Sequence, residues 1–406
     1  MDSWVMVSSE VGRHEDAHPY YRMHSNVTRP NEERDVARGW PQLRVLEVGA
    51  GLALGYAGRL FRDFGAEVSS IKGALGVSGG SPEGETPGDR AFAAWIAHGK
   101  QALPAGGQGP DGCGDALGRC HILLLGGTPA PLTAAGWDPD SIRRRWPDLV
   151  VVAITPFGWS SPCRDDPADD LTLQALGGIS LGIGQRGRPP LALPGEQSGY
   201  QAGLSAAIVS AGIAFARRGA FVDLAMADVW ATFYTGMDVT NAHFGRNKSG
   251  RAGHRVSRVP YPRTIFPCRD GYFALQCAEG RHWREFLALV GREDLATDPM
   301  FVNRIHANDR DGDAADALFE PWFRARGKEE ILAACLERRI PGAPVYDLGE
   351  VVRHPHLAGR GYFHDIEVCG RTARVPTSPF RFAGEPQDEA APAPAQGSRA
   401  TWPAGD

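Results

Sequence analysis

At 406 residues, 42% hydrophobic and 22% charged, the chain is long enough to bury a large core and to divide into two domains. A formal net charge of -5 argues against nucleic acid as the main partner, and the basic triplet Arg143 to Arg145 reads as one solvated helix face before Trp146. Seven cysteines, at 113, 120, 163, 268, 277, 335 and 369, form no CxxC pair and are odd in number, which fits reduced thiols in a cytoplasm better than a disulfide framework.

Residues 1 to 40 mix charge, proline and polar groups, which predicts an N-terminal arm, either flexible or strapped over a neighbouring subunit; Met1 to His18 has early acids and no apolar core, so no secretory signal and a cytoplasmic protein are expected. Leu43 to Val48 predicts a strand, and the VLEVGAG of Val45 to Gly51 places a glycine turn after it. Tyr56 to Phe64 has a helical pattern. Leu149 to Ile154 is a Val-rich run of the kind a buried strand needs, ended by Pro156 and Gly158. Asp165, Asp166, Asp169 and Asp170 then crowd before Leu171, Leu173 and Leu176, where a short helix is expected to start. Their plainest role is to accept the free amide protons of its first turn. Ala202 to Ala216 reads as a buried helix, about 15 residues long and short of the ~20 that a membrane span needs. Alternating strands and helices imply a parallel sheet covered by helices.

After FVDLAMADVWATFYTGMDVT the texture changes. Gly245 to His254 is glycine-rich and basic, and TIFPCRDGYFALQCA predicts a hairpin turning at Arg269-Asp270-Gly271. Trp283, Phe286, Leu287 and Val290 recur at helical spacing with Gly291 as the stop, a core stripe. No HExxH occurs, and His354 and His356 around Pro355 read as turn chemistry, so no metal is expected. The Pro, Ala and Gly beyond Gly384 predict a disordered tail.

Several of these blocks together resemble the class III CoA-transferases, which include formyl-CoA transferase, carnitine CoA-transferase and the 2-methylacyl-CoA racemases. PFGWSSPCRDDPADD falls without a gap on the family's GFGQTGPYRDRPAYD, Gly177-Gly178 on its paired glycines, and Gly187 to Pro190 (GRPP) on its DGPP. LRVLEVGAGLALGYAGRLFRDFGAEV and AFAAWIAHGKQAL resemble the family opening and its NRGKRS segment. IPGAPVYDLGEVVRHPHLAGRGYF follows in family order. The resemblance implies a Rossmann-like large domain with a smaller α+β domain, α/β in class, and two chains interlocked as linked rings. The expected divisions are an arm over 1-40, the large domain over 41-225, the small domain over 226-330, a return to the large domain over 331-384, and a tail over 385-406.

The resemblance also assigns chemistry. Taking the Asp of DGPP as the group that attacks the acyl-CoA thioester, a step that splits one hard exchange into easier ones, this chain has Gly187 at that position. Gly126-Gly127-Thr128-Pro129 stands in place of Asn-Phe-Arg-Pro, and Leu52 and Trp159 stand where transferases often carry Gln. Leu52, Gly126, Gly127 and Thr128 are the candidate contacts to coenzyme A or acyl-CoA. Asp169, Asp170 and Glu196 are the candidate catalytic residues. They occupy the stations where the racemases carry His-Asp and a later Asp for proton exchange, chemistry that requires one raised pKa.

The leading expectation is therefore a CoA-transferase-family subunit that lacks the nucleophilic Asp and acts on an acyl-CoA and a carboxylic acid beside a related catalytic chain, as a homodimer or a heteromer. The alternative is an independent acid-base enzyme using Asp169, Asp170 and Glu196. A remote third, an S-adenosylmethionine-dependent methyltransferase, rests on VLEVGAG alone and lacks the ribose-binding acid where Lys72 stands. No nucleic acid and no membrane partner are expected.

Overall fold

The structure, a computed structural model, describes residues 40, 42–71, 86–103, 109–185, 187–233, 243, 251, 253–256 and 259–380. The arm over 1–39, Lys72, residues 244–250 of the glycine-rich stretch and the tail over 385–406 lie outside the described residues.

Three apolar runs form the middle of one sheet. β1 (Arg44–Gly49), β4 (Ile122–Gly126) and β5 (Val150–Thr155) are buried on both faces, which is why they read as near-continuous hydrophobic stretches. With β2 (Glu67–Ile71), β3 (Gln101–Leu103) and β6 (Ala220–Ala225) they make a six-stranded sheet in the order β3-β2-β1-β4-β5-β6, and every neighbouring pair is parallel. Alternate side chains separate into two cores. Val45, Val68, Leu124 and Val152 face one side, while Leu46, Leu123, Leu125 and Val151 face the other with Trp137 and Ile142.

Helices connect the strands as the parallel order demands. Among them are α1 (Leu52–Asp63), α2 (Pro87–Ala97), α3 (Gly114–Arg119), α4 (Pro129–Ala134), α5 (Pro139–Arg145), α6 (Asp170–Leu176) and α7 (Gln197–Phe215), and α8 (Met226–Phe233) follows β6. α7 begins five residues before the expected Ala202 because the turn at Pro194-Gly195 ends in Glu196, whose left-handed φ of 57° starts the helix. α1 and α7 pack closely through glycine. A Cβ on Gly203 would lie 2.6 Å from the Ala53 carbonyl oxygen, and one on Gly199 would lie 2.9 Å from Leu52. Only the absence of side chains permits that approach.

Two compact units make up the chain. The first holds the described residues of 34–257 and 364–406, the second those of 258–363. In the second, β7 (Arg263–Cys268) and β8 (Gly271–Gln276) form the expected hairpin, with the turn at Arg269-Asp270, and β9 (Gly342–Val345) pairs antiparallel with β8. Against them lie α9 (Gly280–Val290), stopped by Gly291 at φ 69°, α10 (Gly312–Arg324) and α11 (Lys328–Glu337). Their core is aromatic: Phe266 stacks on Phe323 at 4.2 Å, and buried Tyr261 donates to Asp316 at 2.9 Å. A final hairpin, β10 (Phe363–Val368) with β11 (Arg371–Pro376), leads back to the first unit, where Trp95 Nε1 donates to the Pro376 carbonyl.

Candidate functional site

The strand order reverses between β1 and β4, and ligands of open parallel sheets lie outside the carboxyl ends of the strands at such a point. Glycine shapes this one. A Cβ on Gly49, at φ 102°, would overlap the Gly126 carbonyl, and one on Gly126 would lie 2.7 Å from the Ala50 oxygen. The two strand ends are thus in backbone contact, and the Ala50 amide donates to Gly126 at 3.0 Å. One residue further on, Gly51 and Gly127, at φ 111° and 118°, have no atom of the described residues within 4 Å of a Cβ, so bare backbone is left open on both turns.

These turns hold all four expected coenzyme A contacts, with differing capacities. The Leu52 side chain is buried against Gly199, which leaves only its backbone to contact a ligand. Gly126 is buried, Gly127 is open, and Thr128 is the N-cap of α4. The first turn of α4 is already engaged by a carboxylate: Asp165 accepts the Ala130 amide proton at 2.6 Å. The first turn of α1 carries no acid and its N-cap Gly51 makes no side-chain bond. Of the two helix starts, α1 is therefore the better place for an anionic group.

Beneath the β1 turn lies an ion pair. Lys100 Nζ is 2.6 Å from Glu47 Oε1, with the two side chains 1% and 0% exposed, and it also donates to the Gly55 carbonyl of α1 at 2.7 Å. Ser70 donates to the other Glu47 oxygen. Burial pushes the Lys100 ammonium down in pKa, and the Glu47 charge opposes that shift. The pair ties β1, β2 and α1 together just behind the Gly49 to Leu52 turn. Its sequence signal was the single acid inside the apolar run LRVLEVG.

The three expected catalytic acids come together at the starts of α6 and α7. Asp169 is the N-cap of α6: its Oδ1 accepts from the Thr172 amide at 2.8 Å and the Thr172 hydroxyl at 2.7 Å, bonds that lower its pKa. This is the capping role its position suggested. Asp170 is half-buried and bridges two helices. Its Oδ1 accepts the Ser198 amide proton at 2.7 Å, and its Oδ2 accepts from Gln174 Nε2 at 2.6 Å. Gln174, fully buried, also exchanges two hydrogen bonds with the Leu193 backbone and so fixes the returning loop. Trp230 Nε1 donates to Ser198 Oγ at 2.7 Å and locks the start of α7. Glu196 lies against the two aspartates. Burial first, then the Asp170 and Asp169 charges, raise its pKa.

One helical turn beyond Glu196, Tyr200 sets its ring edge-on to Tyr56 of α1, with centroids 4.8 Å apart at 85°. Burial, then Tyr56 and the Glu196 charge, push its phenol up to about 12. Gln174, Ser198 and Tyr200 were not anticipated. Gln174 and Ser198 act through contacts between segments, and the one local signal for Tyr200 is its spacing of four from Glu196. Gly187 sits on an exposed loop at φ 76° with no atom of the described residues within 4 Å of a Cβ, and Trp159 is buried in the sheet core. Chemically, the site offers an oriented carboxylate at Asp170, a carboxyl of raised pKa at Glu196 and a phenol donor.

A six-stranded doubly wound sheet with bare glycine turns at its switch point and carboxylates at nearby helix starts defines an α/β protein of the kind that binds ligands at the carboxyl ends of its strands. Comparison with known proteins makes this specific. The chain belongs to CoA-transferase family III, whose sequence model matches residues 41–400.

Among curated relatives, it is 26% identical over 276 residues to the succinyl-CoA:(R)-benzylsuccinate CoA-transferase subunit BbsE of Thauera aromatica, covering 64% of this chain and 66% of that one. The chain thus spans about two thirds of that relative's length. It is 26% identical over 376 residues to the succinyl-CoA:mesaconate CoA-transferase of Haloarcula hispanica, covering 88% and 92%. Identity is 23% over 356 residues with the succinyl-CoA–L-malate CoA-transferase beta subunit of Chloroflexus aurantiacus, covering 82% and 85%. A CaiB/BaiF family protein from Brucella suis has the same fold, with a TM-score of 0.72 at 21% identity over 87% of this chain and 96% of that one. Among the described residues no helix is long and apolar enough to cross a membrane.

Proposed function

We propose that the chain transfers coenzyme A between an acyl-CoA and a carboxylic acid, with Asp170 as the attacking carboxylate. The observation that carries this reading is the setting of Asp170, whose two oxygens are oriented by the neutral donors Ser198 N and Gln174 Nε2. An Asp Oδ forms a bond to the thioester carbonyl carbon, the C–S bond breaks, and the thiolate leaves. The thiolate then attacks the aspartyl carbonyl of the resulting mixed anhydride and releases the acyl carboxylate. The acceptor acid takes CoA by the same two steps in reverse, restoring the aspartate. As substrate, CoA would lie with its nucleotide end along the Gly49 to Leu52 and Gly126 to Thr128 turns, and its phosphates would favour the uncapped start of α1.

Assigning the nucleophile to the Gly187 position leaves the chain without one and requires a related catalytic partner. Relatives named as the alpha and beta subunits of one L-malate CoA-transferase support that second reading. It differs in what the isolated chain does. In an assay of the purified protein with succinyl-CoA and benzylsuccinate, malate or mesaconate, the first reading expects transfer by the chain alone, reduced at least about 10³-fold in Asp170→Asn. Transfer that appears only on adding a second chain would replace it with the subunit reading. Loss of hydrogen next to the thioester carbonyl, without transfer, would favour the acid-base alternative, for which the raised pKa of Glu196 is the supporting observation.

A further inference from the structure

We infer that the Tyr200 hydroxyl donates a hydrogen bond to the acyl oxygen of the substrate as Asp170 attacks, a further catalytic residue that rests on the CoA-transfer reading above. When an Asp170 oxygen bonds to the thioester carbon, the carbonyl electron pair moves onto the acyl oxygen, and it returns when the thiolate leaves. That transient anion needs a donor, because it develops next to the Asp169 carboxylate with no compensating cation supplied by the acid cluster.

Four of the neighbouring donors are committed. Ser198 N and Gln174 Nε2 serve Asp170, the Thr172 hydroxyl serves Asp169, and the Ser198 hydroxyl reaches toward the Asp170 carbonyl at 3.4 Å. Among the described residues, none holds the Tyr200 hydroxyl by a hydrogen bond, and the side chain is only half-buried. Its place on the first turn of α7 sets it on the same face as Glu196, one turn along. The ring is fixed by its edge-on contact with Tyr56 and by packing over Leu52, Ala93 and Ile96, so the donor is oriented before substrate arrives. A phenol pushed up to about 12 remains protonated across the working pH range.

Tyr200→Phe tests this, since it keeps the ring and its contact with Tyr56 while deleting the donor. In the CoA-transfer assay kcat should fall about 10²- to 10³-fold, with KM for the acyl-CoA and the thermal midpoint unchanged. A kcat within about threefold of the parent, or a rise in KM alone, overturns the role. A parent protein that transfers no CoA overturns the function reading instead. A second measurement separates the two: in Asp170→Asn, bound acyl-CoA labelled at its carbonyl should give an infrared C=O stretch at lower wavenumber than in Asp170→Asn/Tyr200→Phe. Equal stretches in the two variants would refute the hydrogen bond irrespective of turnover.

Discussion

Removing one partner of the Lys100–Glu47 pair should be among the costliest single changes in the first unit. In Lys100→Met the Glu47 carboxylate stays at 0% exposure, loses an ammonium at 2.6 Å and keeps only the Ser70 hydroxyl, while the Gly55 carbonyl loses its 2.7 Å bond. Relaxation toward water is blocked, because α1 lies directly over the carboxylate and a Cβ on Gly58 would overlap it. Leaving such a charge unpaired costs about 3–5 kcal/mol, whereas replacing both partners by neutral groups of similar volume is often close to neutral. Urea unfolding, monitored by far-UV circular dichroism, should give that loss for Lys100→Met. Glu47→Gln/Lys100→Met should recover most of it, to within about 1–2 kcal/mol of the parent. A single variant within about 1 kcal/mol of the parent, or a double variant as unstable as the single one, would refute the assignment of buried charge as the cause.

Two further expectations concern helix packing and pH. Gly203→Val places atoms where a Cβ already lies 2.6 Å from the Ala53 carbonyl, and it should lower stability by about 1–3 kcal/mol or more. Gly212→Ala on the same helix, with nothing within 4 Å, should raise it by about 0.4–1 kcal/mol; equal effects in thermal melts would contradict the close α1–α7 approach. Because the folded pKa of Glu196 is raised, the native state holds its proton more tightly than the unfolded chain, and stability falls as pH rises from the ordinary Glu range through the raised value. Glu196→Gln removes that dependence. Its thermal midpoint should exceed the parent's above that window and approach it at the acid end, and a gap that grows on acidification would reverse the assigned sign.

Periodicity and punctuation made the local elements legible. The Val-rich run at 149 to 154 is β5, displaced by one residue, and the glycine after Val290 stops α9 in the left-handed conformation that glycine adopts without strain. Asp169 caps the helix its position announced. The strand order was not readable from pattern, because nothing local in β1 says that β4 rather than β3 lies beside it. The candidate site divides in the same way. Asp169 and Asp170 were visible as acids before an apolar run, Glu196 only through the family resemblance, and the structure places them at the starts of α6 and α7. Gln174 and Ser198, which orient Asp170, depend on a loop returning after 19 and 28 residues, and such long-range closure leaves no trace in spacing.

The central claim is that this chain carries its own nucleophile at Asp170. Mixing the purified protein with succinyl-CoA, quenching in acid and measuring the intact mass tests it directly. The account predicts a covalent CoA adduct that maps to the peptide containing Asp170, disappears on addition of an acceptor acid, and is absent from Asp170→Asn. An adduct retained in Asp170→Asn, or one that forms only on a second, co-purified chain, would contradict it.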